Sequence, residues 1–155
     1  MLVNSGTSTY ENSQQRHFER STRAHNTVEV NETDSSEVWA AFRVGTRAQV
    51  TNVKSTLTGD TLAASAQHTG YQKTFGIIHT RTWQLTKHHL TVTDALNNSA
   101  NSAVARFYLH PEVILLPDRQ LKLSDGRIIE WTVTGGTAEI AVSYTHLTLP
   151  TILLV

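Results

Sequence analysis

Residues 79–96 read HTRTWQLTKHHLTVTDAL, and this stretch decides the fold class. Apolar and polar side chains alternate on both sides of a polar centre. Trp83 and Leu85 share one face of the first half, and Leu90 and Val92 share one face of the second half. Successive side chains of a strand point to opposite faces of the sheet. The stretch therefore predicts a β-hairpin with one apolar face.

The same alternation continues on both sides of this hairpin. Upstream, HNTVEVNE begins at His25, and SEVWAAFRVGTRAQVTNV (36–53) alternates in the same way. The second stretch predicts a single strand that carries four apolar side chains on one face, namely Val38, Ala40, Phe42 and Val44.

Downstream, the alternating segments are separated by two dipeptides that contain glycine. Asp125-Gly126 separates QLKLS from RIIEWTV, and Gly135-Gly136 precedes TAEIAVSY. Asp-Gly and Gly-Gly between alternating segments favour tight hairpin turns. We expect a hairpin at each of these positions.

Helical periodicity is absent. No stretch keeps apolar residues at the i, i+3, i+4, i+7 spacing for three turns. The first twenty-odd residues are polar and rich in turn formers, so they predict a surface loop. The fold class is therefore predicted as all-β, an antiparallel β-sandwich of about nine or ten short strands.

Composition excludes several classes of protein. The chain has 155 residues, 39% hydrophobic and 17% charged, which fits one globular domain and not a disordered or membrane-spanning chain. Lys+Arg (13) equal Asp+Glu (13), and no basic run exists, so nucleic acid is not expected as a partner. Without cysteine, disulfides and thiolate chemistry are excluded.

The C-terminal segment differs from the rest of the chain. After Ser143 the alternation lapses, and the chain ends in the apolar run ILLV. The string SYTHLTLPT resembles read-through of a sequencing adapter. We interpret residues 1–143 as one domain and residues 144–155 as a non-native tail.

Four segments, taken in order, resemble one known family. LVNSGTSTYE, RSTRAHNTVEVNETDSSEVWAAFRVGTRA, HTGYQKTFGIIHTRTWQL and ARFYLHPEV are similar to the C-terminal β-sandwich of heparinase II/III-like polysaccharide lyases. The resemblance implies β-elimination on uronic-acid polysaccharides such as alginate or heparin-like chains. It also implies a bacterial parent that is periplasmic or secreted, with an upstream α/α toroid that carries the main catalytic residues.

On this reading the chain is an N-terminally truncated sandwich that does not cleave polysaccharide alone, and whether it is an enzyme stays open. Its implied partners are an acidic polysaccharide and the toroid, with no nucleic acid and no membrane span. Two alternatives remain. One is a stand-alone carbohydrate-binding module, and the other is a structural module with an exposed apolar strip where the toroid docks.

The resemblance also implies a zinc site in the full-length parent. Its ligands are a histidine of an upstream His-x-His motif, an aspartate, and the histidine of AHNTV. The histidine corresponds to His25 and the aspartate to Asn4. A neutral amide is a poorer zinc ligand than a carboxylate, so the site is weakened or hydrogen bonds order this region instead. Without the upstream histidine, His25 and Asn4 alone cannot make a tetrahedral site, and no metal is expected in this fragment. The alternatives are a turn role for Asn4 and a strand-edge role for His25.

Substrate contacts are expected from Arg81, His68 and Tyr71. An arginine beside a sandwich face can bind a uronate carboxylate through two parallel hydrogen bonds. The alternative for Arg81 is an ion pair within the sandwich. Trp39, Trp83 and Trp131 lie on the apolar side of their alternations, so core packing is favoured over sugar stacking.

Overall fold

The computed structural model describes residues 1–4, 6–144 and 148–155. Strands make up 45% of the chain and helix 10%, and the sheets are antiparallel, so the all-β prediction is confirmed. Among the described residues the chain has helices α1 (Gln14–Arg20) and α2 (Gln72–Phe75), and a short 3-10 helix at Thr22–Ala24.

The strands are short, and most of them alternate in sequence. In chain order they are β1 (Val28–Val30), β2 (Val38–Trp39), β3 (Arg43–Val44), β4 (Val50–Thr58), β5 (Thr61–His68), β6 (His79–Leu85), β7 (Leu90–Leu96), β8 (Ala103–Tyr108), β9 (Ile114–Leu116), β10 (Gln120–Lys122), β11 (Ile128–Glu130), β12 (Ala138–Tyr144) and β13 (Thr148–Leu154).

Two four-stranded sheets form the body. Sheet I has the order β1-β8-β13-β12, and sheet II has the order β4-β5-β6-β7. A three-stranded sheet (β11-β10-β9) and the pair β2-β3 complete the architecture.

The core lies against one face of sheet I. Val28, Val30 and Ala105 of that face form one cluster with Tyr71 and Ile77, which flank α2. A second cluster links sheet I to the three-stranded sheet, and its buried members are Leu109, Val113, Leu121 and Ile152. Among the described residues, sheet II packs against these clusters through Leu96, which lies opposite His79 at one end of the sheet.

The hairpin predicted for residues 79–96 is confirmed. In the β6–β7 ladder, Trp83 lies opposite Val92 and Leu85 opposite Leu90. The same register places Arg81 opposite Asp94 on that face. One face of sheet II thus carries apolar side chains far from the core and charged ones near it.

The single strand predicted for residues 36–53 is wrong. The chain reverses between β2 and β3, where Ala40 has a φ of 50°, and a separate strand begins at Val50. Phe42 is 66% exposed and lies in this turn. Alternation continued through the sequence while the backbone turned, so the pattern alone could not show the break.

The surface loop predicted for the N-terminal segment is also wrong, because α1 lies within it. Ser13 caps this helix, and its Oγ accepts a hydrogen bond from the Arg16 backbone N–H at 3.2 Å. Arg16 and Glu19 are buried although both are charged. A polar helix of this kind has no apolar stripe for a periodicity search to find.

The glycine predictions have different outcomes. Asp125-Gly126 does lie between β10 and β11, and Gly126 has a φ of 86°. Gly135-Gly136 instead connects the three-stranded sheet to sheet I, so no hairpin forms there. The two flanking strands, β11 and β12, pair within different sheets, which a turn motif does not encode.

The C-terminal strand β13 lies between β8 and β12. The interpretation of residues 144–155 as a non-native tail stays a prediction, and part of it, residues 145–147, lies outside the described residues.

Candidate functional site

A cavity of about 420 Å³ opens beside His25. The 3-10 helix ends at this residue, whose backbone N–H donates to the Thr22 carbonyl at 3.2 Å. Around the histidine, the cavity wall consists of hydroxyl, cationic and small apolar side chains, namely Arg20, Thr22, Thr27, Ser35, Ser36, Val38, Val44, Arg47 and Ala48.

The cavity combines a neutral imidazole with positive charge. Burial lowers the pKa of His25 below its usual value, and the carboxylate of Asp34 offsets this only in part. Arg20 donates to backbone carbonyls, including that of Ala40 at 2.6 Å. Arg47 is exposed and forms no ion pair with a carboxylate in the described part of the chain. Its guanidinium is therefore available to an acidic ligand.

Asn26, the next residue, ties three parts of the fold together. Its Nδ2 donates to the Val3 carbonyl at 2.7 Å, and its Oδ1 accepts from the Tyr108 N–H at 2.6 Å. Its carbonyl accepts from Nη1 of Arg81 at 2.5 Å. The AHNTV segment thus presents His25 to the cavity while Asn26 fixes the backbone behind it.

Behind the cavity lies a chain of polar side chains on sheet II. His68 Nε2 lies 3.0 Å from His79 Nδ1, and His79 Nε2 lies 2.6 Å from Asp94 Oδ1. Arg81 holds both oxygens of the same carboxylate, from Nε at 2.6 Å and from Nη2 at 2.8 Å.

The hydrogen bonds fix both histidine tautomers. The ionised Asp94 only accepts, so His79 donates from Nε2 and accepts at Nδ1 from His68 Nε2–H. His68 Nδ1 then accepts from the Gly70 N–H at 3.2 Å. Burial, followed by the charges of His79 and Arg81, lowers the pKa of His68 to about 4. The imidazole of His68 is thus neutral at neutral pH, and every ring nitrogen of His68 and His79 has a hydrogen-bond partner.

The carboxylate at the centre stays ionised. Burial of Asp94 acts to raise its pKa, but the hydrogen bonds from His79 and Arg81 outweigh burial, and the pKa lies below the usual value.

The three residues expected to contact substrate do lie together, but toward the interior. Arg81 is 7% exposed, and the nitrogens that a uronate would engage are occupied by Asp94. Tyr71 is fully buried and donates to the Val28 carbonyl at 2.8 Å. Burial raises the pKa of this phenol to about 12. A saccharide contact from Arg81, His68 and Tyr71 stays a prediction.

Sequence reasoning missed Asn26 and Asp94 as members of the site, whereas the motif HTRTW draws attention to His79 together with Arg81. The signal for Asp94 was present, since a hairpin that pairs Trp83 with Val92 also pairs Arg81 with Asp94. For Asn26 there was no signal, because its partners lie far away in sequence.

His25 and Asn4, the two residues expected to bind zinc, have other contacts in this structure. Structural and catalytic zinc sites use at least three protein ligands. In the described part of the chain, no three His, Cys, Asp or Glu side chains converge on a common point. Asn4 Oδ1 instead accepts from the Gly6 N–H at 3.2 Å, which is a turn contact. A zinc in the full-length parent stays a prediction.

The tryptophans divide into two groups. Trp131 packs against the second core cluster, as expected. Trp39 is 48% exposed and stacks under the guanidinium of Arg43 at 4.9 Å, and Trp83 is 36% exposed on sheet II. The core-packing prediction is therefore wrong for Trp39 and incomplete for Trp83.

No helix among the described residues has the length and apolar character needed to span a membrane.

Comparison with known proteins places the chain in a family. No curated protein and no solved structure matches the chain significantly. The family described as heparinase II/III-like, C-terminal, matches residues 1–150. The chain therefore belongs to the heparinase II/III-like C-terminal domain family.

Proposed function

We propose that this chain is the β-sandwich part of a lyase that cleaves uronic-acid polysaccharides, and that it binds the acidic saccharide in the cavity beside His25. The observation that carries the proposal is this cavity, in which a cation without a protein carboxylate partner, Arg47, adjoins an imidazole and several hydroxyl groups. Hydroxyls and a charged group placed around a concave site are what saccharide recognition requires.

The proposal assigns binding, and not elimination, to the described residues. Elimination removes a proton α to a carboxylate and expels the O4 leaving group, so it needs a base, an acid and a group that stabilises negative charge. His25 and Arg47 could hold the carboxylate. The hydrogen-bonded His68 and His79 have no nitrogen left to take the proton.

The network behind the cavity has a positioning role in this account. An added Cβ on Gly70 would lie 2.5 Å from the Ser35 carbonyl oxygen, so the loop after His68 lies against the cavity wall. Arg81 fixes Asn26 beside His25 from the other side. Both contacts set where the lining residues stand.

The test is affinity for an oligouronate at low and high salt. We expect retention on an alginate gel that falls steeply with salt, because the contact is ionic and screened. Arg47→Ala should weaken binding about tenfold, the effect of losing one charge-assisted hydrogen bond. Arg127→Ala removes the same charge from the exposed β10–β11 turn and serves as the matched control.

Two outcomes would contradict the proposal. Equal losses in Arg47→Ala and Arg127→Ala would mean attraction by net charge alone. A rise in ultraviolet absorbance from unsaturated uronate, produced by the purified chain, would mean that this chain itself carries the elimination chemistry.

A further inference from the structure

The face of sheet I that points away from the core carries charged side chains, and one of them, Glu29, is buried. Val28 and Val30 point into the core, so Glu29 between them points to the opposite face. Arg106 and Tyr108 of β8 lie on that face as well, because Ala105 points into the core. The Tyr108 hydroxyl donates to the Arg23 carbonyl, which holds the 3-10 helix over this face.

Two guanidinium groups share a single carboxylate there. Glu29 is buried, and its Oε1 lies 3.0 Å from Arg23 Nη2 while its Oε2 lies 2.8 Å from Arg106 Nη2. Glu19 of α1 accepts hydrogen bonds from Ser8 and Gln15, and the carboxylates of Asp34 and Glu32 act on Arg23 through their charge without forming an ion pair with it. The cluster Arg23–Glu29–Arg106 therefore keeps one positive charge that its own carboxylate does not neutralise.

One donor of this cluster is left over. Nη1 of Arg106 is buried and has no hydrogen-bond partner in the described part of the structure. A buried donor on a charged group is costly to leave unpaired. A bound anion would accept a hydrogen bond from this Nη1 and would also neutralise the remaining positive charge of the cluster.

A cavity of about 230 Å³ adjoins this cluster. Besides the two arginines, its lining includes two residues with hydroxyl groups, Tyr108 and Thr151, and the apolar residues Phe18, Ala141 and Leu153. It is smaller than the pockets that hold drug-sized ligands. There is room for one tetrahedral or planar oxyanion.

We propose that this cavity is an oxyanion site, in which Arg106 and Arg23 bind a single sulfate or carboxylate group. The site is separate from the cavity beside His25 and does not depend on the function proposed for it. Two sources share this chemistry, a free inorganic ion and a sulfate ester or uronate carboxylate on a saccharide.

The probe is sodium sulfate titrated into the full chain at constant ionic strength, with thermal unfolding as the readout. We expect saturable stabilisation, as for any ligand that binds only the folded state. Arg106→Lys keeps the positive charge beside Glu29 but removes the unpaired Nη1, so the sulfate affinity should fall at least tenfold. Arg127→Lys, a matched change at an exposed arginine, should leave it unchanged.

A second variant guards against misfolding of the first. The side chain of Arg23 is 46% exposed, so the fold should tolerate Arg23→Lys. This variant should also weaken sulfate binding. Stabilisation that does not saturate, or that is the same in wild type, Arg106→Lys and Arg127→Lys, is a general salt effect and would overturn the proposal.

A final comparison separates the two sources. A sulfated uronate disaccharide that competes with sulfate at lower concentration than the free ion, and loses this advantage in Arg106→Lys, assigns the site to a saccharide. Equal competition assigns it to a free oxyanion. Both results support the site. A disaccharide that binds without displacing sulfate also assigns the site to a free oxyanion, because the disaccharide then occupies the cavity beside His25. Arg47→Ala should leave sulfate binding intact, so failure here is distinguishable from failure at the cavity beside His25.

Discussion

Asp94 is the residue on which the interior network depends. It accepts from His79 and holds both ends of the Arg81 guanidinium, whose carbon also lies 5.3 Å from the Phe107 ring centre. Arg81 in turn fixes Asn26 beside the cavity. A single carboxylate therefore fixes the side chains of His79 and Arg81 and, through Arg81, the backbone at Asn26.

Asp94→Asn should lower the free energy of unfolding by about 3–5 kcal/mol, because it leaves the buried Arg81 without a counter-charge. Urea denaturation measures the loss. Asp125→Asn is the matched control, since its pair with Arg127 lies in solvent and its loss should have little effect. Equal effects of the two substitutions would show that the buried pair does not stabilise the fold.

Stability should fall as the solution becomes acidic, starting near the ordinary histidine pKa. The folded state holds the pKa of His68 at about 4, below 6.5 in the unfolded chain, so the unfolded state binds the proton first. The contribution of the neutral His68 to the free energy of unfolding is therefore complete above pH 6.5 and is lost as the pH falls toward 4. The lowered pKa of Asp94 acts in the same direction below its unfolded value of 3.8.

Denaturation at a series of pH values between 7.5 and 4.5 measures this slope. His68→Gln should flatten it, whereas His88→Gln in the exposed β6–β7 turn should leave it unchanged. A slope that survives in His68→Gln would assign the acid sensitivity to other groups, of which His25 with its lowered pKa is the first to test.

At the scale of elements, alternation predicted the strands that pair locally and failed where the chain changes sheet. The β6–β7 hairpin follows from its own sequence because both arms have the same apolar face. The break at Ala40 and the passage from β11 to β12 depend on which distant strand each segment meets. The cavity beside His25 was only partly predictable for the same reason, since its wall combines α1, the 3-10 helix and the β2–β3 pair.

Strand β13 offers a direct test of sheet I. Ile152 and Ile140 face each other across the β12–β13 ladder, yet Ile152 is 7% exposed and Ile140 is 50% exposed. Ile152→Ala should cost about 2–5 kcal/mol of unfolding free energy, as for a large-to-small change in a core. Ile140→Ala should cost less than about 0.5 kcal/mol.

Both costs are measured by chemical denaturation of the full chain. If Ile152→Ala has no more effect than Ile140→Ala, residues 148–154 do not contribute to the core, as a non-native tail would predict.

For the whole molecule, sheet II is notable for its exposure to solvent, since every residue of β4 is exposed. One row at the end of this sheet runs across all four strands on one face and consists of Leu57, Leu62, Leu85 and Leu90, and each of these side chains is at least 44% exposed. The opposite face is rich in threonine and carries Lys54. A sheet with one uncovered apolar face is unusual for a protein surface.

We expect the native protein to bind an apolar fluorescent dye through this face. Leu57→Ser with Leu85→Ser should reduce the dye signal several-fold without a loss of folding, because both side chains are already largely exposed. Thr56→Ser with Gln84→Ser alters the opposite face and serves as the control. Dye binding that is equal in both double variants would place the apolar surface elsewhere.

The most direct test of the saccharide proposal is a titration of the isotope-labelled chain with a uronate tetrasaccharide, followed by backbone amide resonances. The account predicts that the signals of residues 20–27, 35–38 and 44–48 move together and saturate, and that Arg47→Ala weakens the response. Signals that stay fixed around His25, while others move or none do, would contradict the assignment of saccharide binding to this cavity.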